Sequence, residues 1–511
     1  MGKKYIMAHD LGTSGDKASL YDENGKLAGS VTYNYPTCYL KAGYVEQDPE
    51  DWWRAVCSST KSVLEKTEIE AKDVVCISFS GQMMGCLPVD SKGSCLRKSI
   101  IWADMRAVKE TELLKKNIGE SNFYRITGSR AAPSYSLEKM MWIKNNEEEV
   151  YKKTAFFLNS KDYIVYRLTG KFATDYSDAS GTNLLDIEKK VWSPDILKAS
   201  EIEASKLPEL HASTDIIGYV KSDMAGEVGL TTGTAVVMGG GDGSCATVGA
   251  GAVEEGDVYN YFGSSSWISV TRSKPMYDTG QRTFNLCLPD PGYTMALGTM
   301  QSAGSSYEWM RENLCLEEEK ATGIKKAHEI LNLKAASSVP GANGLLFLPY
   351  LLGERCPYWN PDARGAFIGL TRGHRRQDMI RAVYEGPIFN LRIILDIFRA
   401  QGVNVTEMRA IGGAIRSDFI CGLMADICEV ELLRPEILEE ATSFGAAVIG
   451  GVGAGVFDGF RVAKKLVALR DRISPDPGNA DKYRKLYLIF KDAYQSLLGV
   501  YEALAGFVNP V

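Results

Sequence analysis

The chain has 511 residues, 45% hydrophobic and 24% charged, with 58 Lys and Arg against 64 Asp and Glu for a formal net charge of −6. That length exceeds one ordinary core and predicts two domains, with interior enough to fold without covalent staples. A mildly acidic chain with no basic stripe argues against nucleic acid as the main partner. Eleven Cys with no CxxC pair argue against a disulfide framework or a zinc site and fit a reducing, cytoplasmic compartment. No uncharged run reaches the roughly 18 residues of a membrane span, so no membrane partner is expected. The apolar stretch after Lys3 and Lys4 ends at Asp10, too early for a signal sequence. Gly2 invites a myristoylation reading, set aside because Tyr5 begins a strand of buried character.

The first expected strand, Tyr5 to His9, runs into Asp10-Leu-Gly-Thr-Ser-Gly and then a second strand, Lys17 to Tyr21. Asn24-Gly25 is a hairpin signal, and Leu27 to Tyr35 completes a meander. Asp48-Pro49 opens a helix, with Asp as cap, Pro at the first helical position, and Trp52, Val56 and Val63 on its buried stripe. Val74 to Phe79 reads as a central strand ending at Ser80-Gly81-Gln82-Met83. Near residue 255 the pattern restarts: strand Val258 to Phe262, turn Gly263 to Ser266, strand Trp267 to Val270. This predicts an internal duplication. Further on come a strand at Leu345 to Leu348, a helix over Gln377 to Ala400 stopped by Gly402, and a strand at Met408 to Ile411 entering Gly412-Gly413-Ala414. Ser417 caps a helix carrying Phe419, Leu423, Met424 and Ile427. Gly445 to Gly455 suits a helix packed tightly on a neighbour, and Lys482 to Phe507 reads as one amphipathic helix. The expected domains are 1–250 and 251–511. With no low-complexity linker between them, they share an interface and hinge as rigid bodies.

Three turns, Asp10 to Gly15, Gly263 to Ser266 and Ile411 to Ala414, each follow an apolar run and are built largely of Gly, Ser and Thr. Backbone N–H groups and hydroxyls in such turns suit phosphate oxygens, although any one turn alone reads first as a simple hairpin. The Walker pattern is absent. Asp10, at a strand end, could hold Mg2+ through water, or merely cap its turn. Asp242 lies in Met238-Gly-Gly-Gly-Asp-Gly. Phosphoryl transfer asks for a base that orients the attacking hydroxyl, and bare backbone around Asp242 would make room for two reactants. The plainer reading of Asp-Gly is a tight turn.

The chain resembles the FGGY family of carbohydrate kinases, most closely its xylulokinase-like members, over roughly residues 5 to 460. The resemblance rests on Asp10-Leu-Gly-Thr-Ser-Gly, Tyr44-Val-Glu-Gln-Asp-Pro, Ser80-Gly-Gln-Met and Ile101-Trp-Ala-Asp-Met-Arg. It continues through Gly239-Gly-Gly-Asp, Phe347-Leu-Pro-Tyr-Leu-Leu-Gly-Glu-Arg and Ile411-Gly-Gly-Ala-Ile-Arg-Ser. It implies an α/β fold of two ribonuclease-H-like domains of the actin, sugar-kinase and heat-shock-cognate type, with ATP and sugar in the cleft between them. Asp242 is then the catalytic base and Asp10 the metal site. Nucleotide contacts are expected from Gly12, Thr13, Ser14 and Lys17, from Gly263, Ser264, Ser265 and Gly304, and from Gly412, Gly413 and Ser417. The sugar is expected against Gln82, Met83, Met84, Asp104, Arg106, Asp242 and Gly243.

Two positions depart from the xylulokinase pattern: Met84 stands where His is common, and Gly243 where Asn is common. Both are expected at the sugar, so these departures leave the reaction class standing and the identity of the sugar open: the resemblance implies a ketopentose such as D-xylulose first, with another ketose, a polyol or a sugar acid as the alternative. An actin-like, nucleotide-switched binding module is the alternative from another class, and it would not need Asp242. A homodimer is left open. Glu354 and Arg355 are expected to pair at the domain interface, His374 to lie in a solvated loop among Arg372, Arg375 and Arg376, and Trp52 and Trp53 to pack the first helix.

Overall fold

The computed structural model describes residues 3–436 and 440–508. Gly2 lies outside them. Two mixed sheets of seven strands each organise the chain.

The first sheet is built on Tyr5–Leu11. This strand pairs antiparallel with Gly15–Asp22, which pairs antiparallel with Leu27–Asn34. On its other side lies Val74–Gly81, parallel to it, then Ala235–Val237, parallel again, and last Ile216–Tyr219, antiparallel. The second sheet repeats this order: Val258–Phe262 at the centre, Ser266–Arg272 and Thr294–Met300 as the meander, then Glu407–Ile411, Glu431–Pro435 and Leu469–Ile473. Phe284–Cys287 extends its meander edge. The duplication expected from the strand–turn–strand pattern is therefore present at the level of topology.

Local signals explain most elements. Asp48 accepts a hydrogen bond from the Glu50 amide and Pro49 follows it, opening Pro49–Thr67 and burying Trp52 and Trp53. Ser417 caps Asp418–Cys428 by accepting from the Ile420 amide. The C-terminal stretch differs from expectation. Asp476 and Pro477 repeat the Asp-Pro start signal, so the helix begins at Pro477, ahead of Lys482, and it breaks at Leu497 into Pro477–Ser496 and Leu498–Val508. Across the break the Tyr494 and Tyr501 rings lie with their centroids 5.9 Å apart.

The helix Ala441–Gly453, though late in the chain, lies on the first sheet. Ala446, Ala447, Val448 and Ile449 join Ile6, Ala8, Cys76 and Val237 in one core. It crosses Asp242–Gly249 at close range: a Cβ on Gly445 would stand 2.0 Å from the Cys245 carbonyl oxygen, and one on Gly249 1.7 Å from that of Ala441. The tight packing expected of this small-residue segment is observed. A separate helical layer over residues 108–200 has its own core, including Leu114, Phe123, Leu137, Met140 and Ile143. Among the described residues no helix is long and apolar enough to cross a membrane, and all eleven cysteines are free thiols.

Candidate active site

A cleft of about 1260 Å³ opens between the two sheets, lined from the first half by Asp10, Thr13, Met83, Met84 and Asp242 and from the second by Ser265, Trp267, Gly412 and Gly413. Alternation along the first strand turns His9 inward, where its Nδ1 meets Asp16 at 2.9 Å, and turns Asp10 the other way. The Asp10 carboxylate accepts from the Ser80 hydroxyl at 2.8 Å and from the Thr442 hydroxyl, on the crossing helix, at 2.6 Å. Asp242 is the first residue of its helix and accepts from the Gly243 amide at 2.6 Å. Both carboxyls open on the cleft yet are surrounded by protein. Desolvation and the charge of Asp10 push Asp242 up to about 7, and desolvation also raises Asp10.

The glycines before Asp242 serve packing rather than open space, which corrects the expectation that they make room for reactants. Gly239 has φ 76°, and a Cβ there would lie 2.1 Å from the Phe79 carbonyl oxygen; one on Gly241 would lie 2.6 Å from the Met83 sulfur. Only Gly243 is roomy, its nearest neighbour being the Met295 methyl at 3.5 Å.

The structure brings three expected turns to the cleft in part. Thr13 lines it, held through its carbonyl by the Gln47 amide at 2.6 Å and through its hydroxyl by the Trp102 indole N–H at 2.8 Å. Gly12 and Ser14 flank it without lining the cavity, their carbonyls taken by the Tyr35 hydroxyl and the Tyr35 amide. Gly263 and Ser264 stand behind Ser265, tied to the next helix by the Gly304 amide on the Gly263 carbonyl and the Ala303 and Ser305 amides on that of Ser264. Gly304 approaches so closely that a Cβ would meet the Gly263 oxygen at 2.5 Å. Lys17 is drawn instead to Glu440, 3.3 Å away, and the Ser417 hydroxyl is spent on its helix cap.

On the opposite wall, Met83 and Met84 pack with Phe284, Leu286 and Leu297. Asp104 and Arg106 are corrections to the expected sugar contacts. Asp104 has no exposed surface and accepts from the Val45 amide and from Arg106, whose guanidinium also reaches Glu46 at 2.8 Å and lies over the Tyr44 and Trp142 rings. Their neighbours in the same motif, Trp102, Ala103 and Met105, line the cleft instead. Gln82 is also set back, its amide donating to Gln47 at 2.7 Å. Glu354 does not pair with the Arg355 guanidinium: it accepts from the Gln301 and Arg355 amides and from Asn390. Sequence reasoning missed Trp102, Thr442 and the Arg130–Ser134 wall. The Trp in Ile101-Trp-Ala-Asp was the one available signal, whereas Thr442 is brought to Asp10 only by the helix crossing.

The chain is 34% identical over 508 residues, 99% of each chain, to a xylulose kinase of Bacillus subtilis (strain 168). It is 31% identical over 506 residues, 98% of each, to a gluconokinase of the same organism. The crystal structure of ligand-bound xylulose kinase from Lactobacillus acidophilus superposes with a TM-score of 0.92 at 29% identity, covering 98% of this chain and 100% of that one. With the N-terminal domain of the FGGY carbohydrate kinases matched over residues 5–249 and the C-terminal domain over 258–454, the chain belongs to the FGGY family of carbohydrate kinases.

Proposed function

We propose that the protein transfers the γ-phosphate of ATP to a primary hydroxyl of a ketopentose, D-xylulose first, giving D-xylulose 5-phosphate in the cytoplasm. The observation that carries this reading is Asp242: a carboxyl at a helix N-terminus, on the cleft, raised to about 7. A base with such a value is half ionised near neutrality and can accept the hydroxyl proton as the oxygen attacks phosphorus and ADP departs. Xylulose kinases among the relatives support the choice of sugar. Residues 1–250 supply the sugar side and the base, and 251–511 the nucleotide side through Ser265, Gly412 and Gly413.

Asp10 and Asp242 are two raised carboxyls on one cleft. Such a pair fits Mg2+, a hard cation held by one or two carboxylates with water and phosphate oxygens. Bound there, it would neutralise charge on the transferring phosphoryl group. Asp10 would hold it, oriented by Ser80 and Thr442, while Asp242 faces the hydroxyl.

A sugar acid is the second reading. Arg130 and Arg355 both line the cleft, 5.3 and 5.7 Å from the centre of the Trp359 ring, and neither forms an ion pair among the described residues. Guanidinium groups so placed suit a carboxylate. A coupled ADP-release screen over pentuloses, hexuloses, polyols and aldonates tests both. D-xylulose should be fastest. Aldonates leading would favour the second reading, and ATP hydrolysis indifferent to every sugar would favour a nucleotide switch.

A further inference from the structure

Lys139 lies on the helix Ser136–Asn146 and has no exposed surface. Its Nζ donates to three backbone carbonyls: Met84 at 2.8 Å, Ile101 at 2.8 Å and Ser134 at 2.6 Å. An ammonium has three N–H groups, and here each finds an acceptor. The three carbonyls belong to, or directly precede, three separate stretches of one cleft wall: Met83–Met84, Trp102–Ala103 and Arg130–Ser134. Lys139 itself does not reach the cavity.

A second observation points the same way. Met84 has φ 61°, the left-handed region that a residue with a long side chain avoids. The carbonyl of this disfavoured residue is one of the three that Lys139 holds. Burial pulls Lys139 down to about 7, Asp104 and Glu138 favour its charge and Arg106 opposes it. In the ammonium form all three N–H groups are matched by the three carbonyls.

We propose that Lys139 is a positioning residue that clasps three wall segments together, and so sets the shape of the pocket that selects the sugar without touching it. This rests on the reading of that wall as the sugar side. A purely structural lysine would lower thermal stability and leave selectivity alone.

Lys139→Met keeps the stem and removes every donor; Lys139→Gln keeps two N–H groups and serves if the Met variant does not fold. Kinetics with D-xylulose and the rest of the sugar panel, and amide hydrogen exchange on the whole chain, are measured together. The expected result is a sugar KM raised about tenfold or more, as for loss of a charged hydrogen bond, an altered order of sugars, and an ATP KM within about twofold of wild type. Exchange should quicken together at 83–85, 101–105 and 130–134, with Lys139→Gln intermediate. Unchanged exchange in those segments overturns the clasp. Quickened exchange with unchanged sugar KM and sugar order overturns its role in selection. If the wild type phosphorylates no sugar, the reading of the site as a sugar pocket fails and the role in selection falls with it, while exchange still decides the clasp.

Discussion

The charge of Asp10 bears directly on Asp242: the two carboxyls share one cleft, and Asp10 adds to burial in raising Asp242 to about 7. They reach it from different places, Asp10 from the central strand of the first sheet and Asp242 from the start of a helix. A base of ordinary strength in that position would be ionised at every physiological pH but a poor proton acceptor.

Asp242→Asn should lower kcat by roughly 10²–10⁴-fold, the usual worth of a general base, with ATP affinity little changed. Coupled ADP release and nucleotide titration check it; near wild-type turnover would remove Asp242 from the role.

The same substitution should stabilise the protein, and only in one pH window. A carboxyl raised from 3.8 to about 7 favours folding with its proton on, so its ionisation costs nothing below about pH 4 and its full cost above about pH 7. With partial opening to water, that cost is roughly 2–4 kcal/mol. Melting curves of wild type and Asp242→Asn should coincide near pH 4 and separate by pH 8, the Asn variant melting higher. In the wild type, kcat/KM should fall as pH drops through about 7.

Gly445→Ala should destabilise without touching any ligand. Its new Cβ would stand 2.0 Å from the Cys245 carbonyl oxygen, which is backbone and cannot swing aside. Overpacking of this kind costs about 1–3 kcal/mol. Denaturant midpoints measure it, and wild-type stability would mean that the helix crossing is looser than described.

Met84→His with Gly243→Asn should shift kcat/KM toward D-xylulose by about tenfold, through hydrogen bonds worth on the order of 0.5–1.5 kcal/mol each. Gly243 is outside the left-handed region and has space, so Asn fits; the strained position is Met84, at φ 61°. His is among the residues that tolerate such a conformation. An unmoved order of sugars in a folded double variant would show that these positions do not read the sugar.

Saturation with D-xylulose and a non-hydrolysable ATP analogue should reduce the radius of gyration in solution scattering, since the cleft is lined from both halves and closing it excludes water. No change at demonstrated saturation would count against a hinge.

The meander around Asp10, the capped helices and the repeated strand order were legible because each is written in local signals: Asn24-Gly25, Asp48-Pro49, Ser417. Asp10, Thr13, Asp242 and Gly413 could be named for the same reason, each standing beside a glycine-rich turn. Other features are set by contacts remote in sequence. That Asp104 would turn inward to Arg106 follows from Val45, Glu46 and Tyr44, half a subdomain away. The helical layer over 108–200 carries many short elements with weak periodicity, so its wall residues, Arg130 and Ser134 among them, could not be read ahead of the fold.

The crossing of Ala441–Gly453 with Asp242–Gly249 makes an axle. Thr442 rides on one of its members and Asp242 heads the other, while Asp10 stands on the sheet to which both are fastened. Any motion that parts the two sheets about this axle carries off Ser265, Gly412 and Gly413 and leaves Asp10, Thr442 and Asp242 together. On the proposed reading, the acid end of the machinery would thus be assembled before either reactant arrives, and closure would have only to deliver the phosphate donor to it.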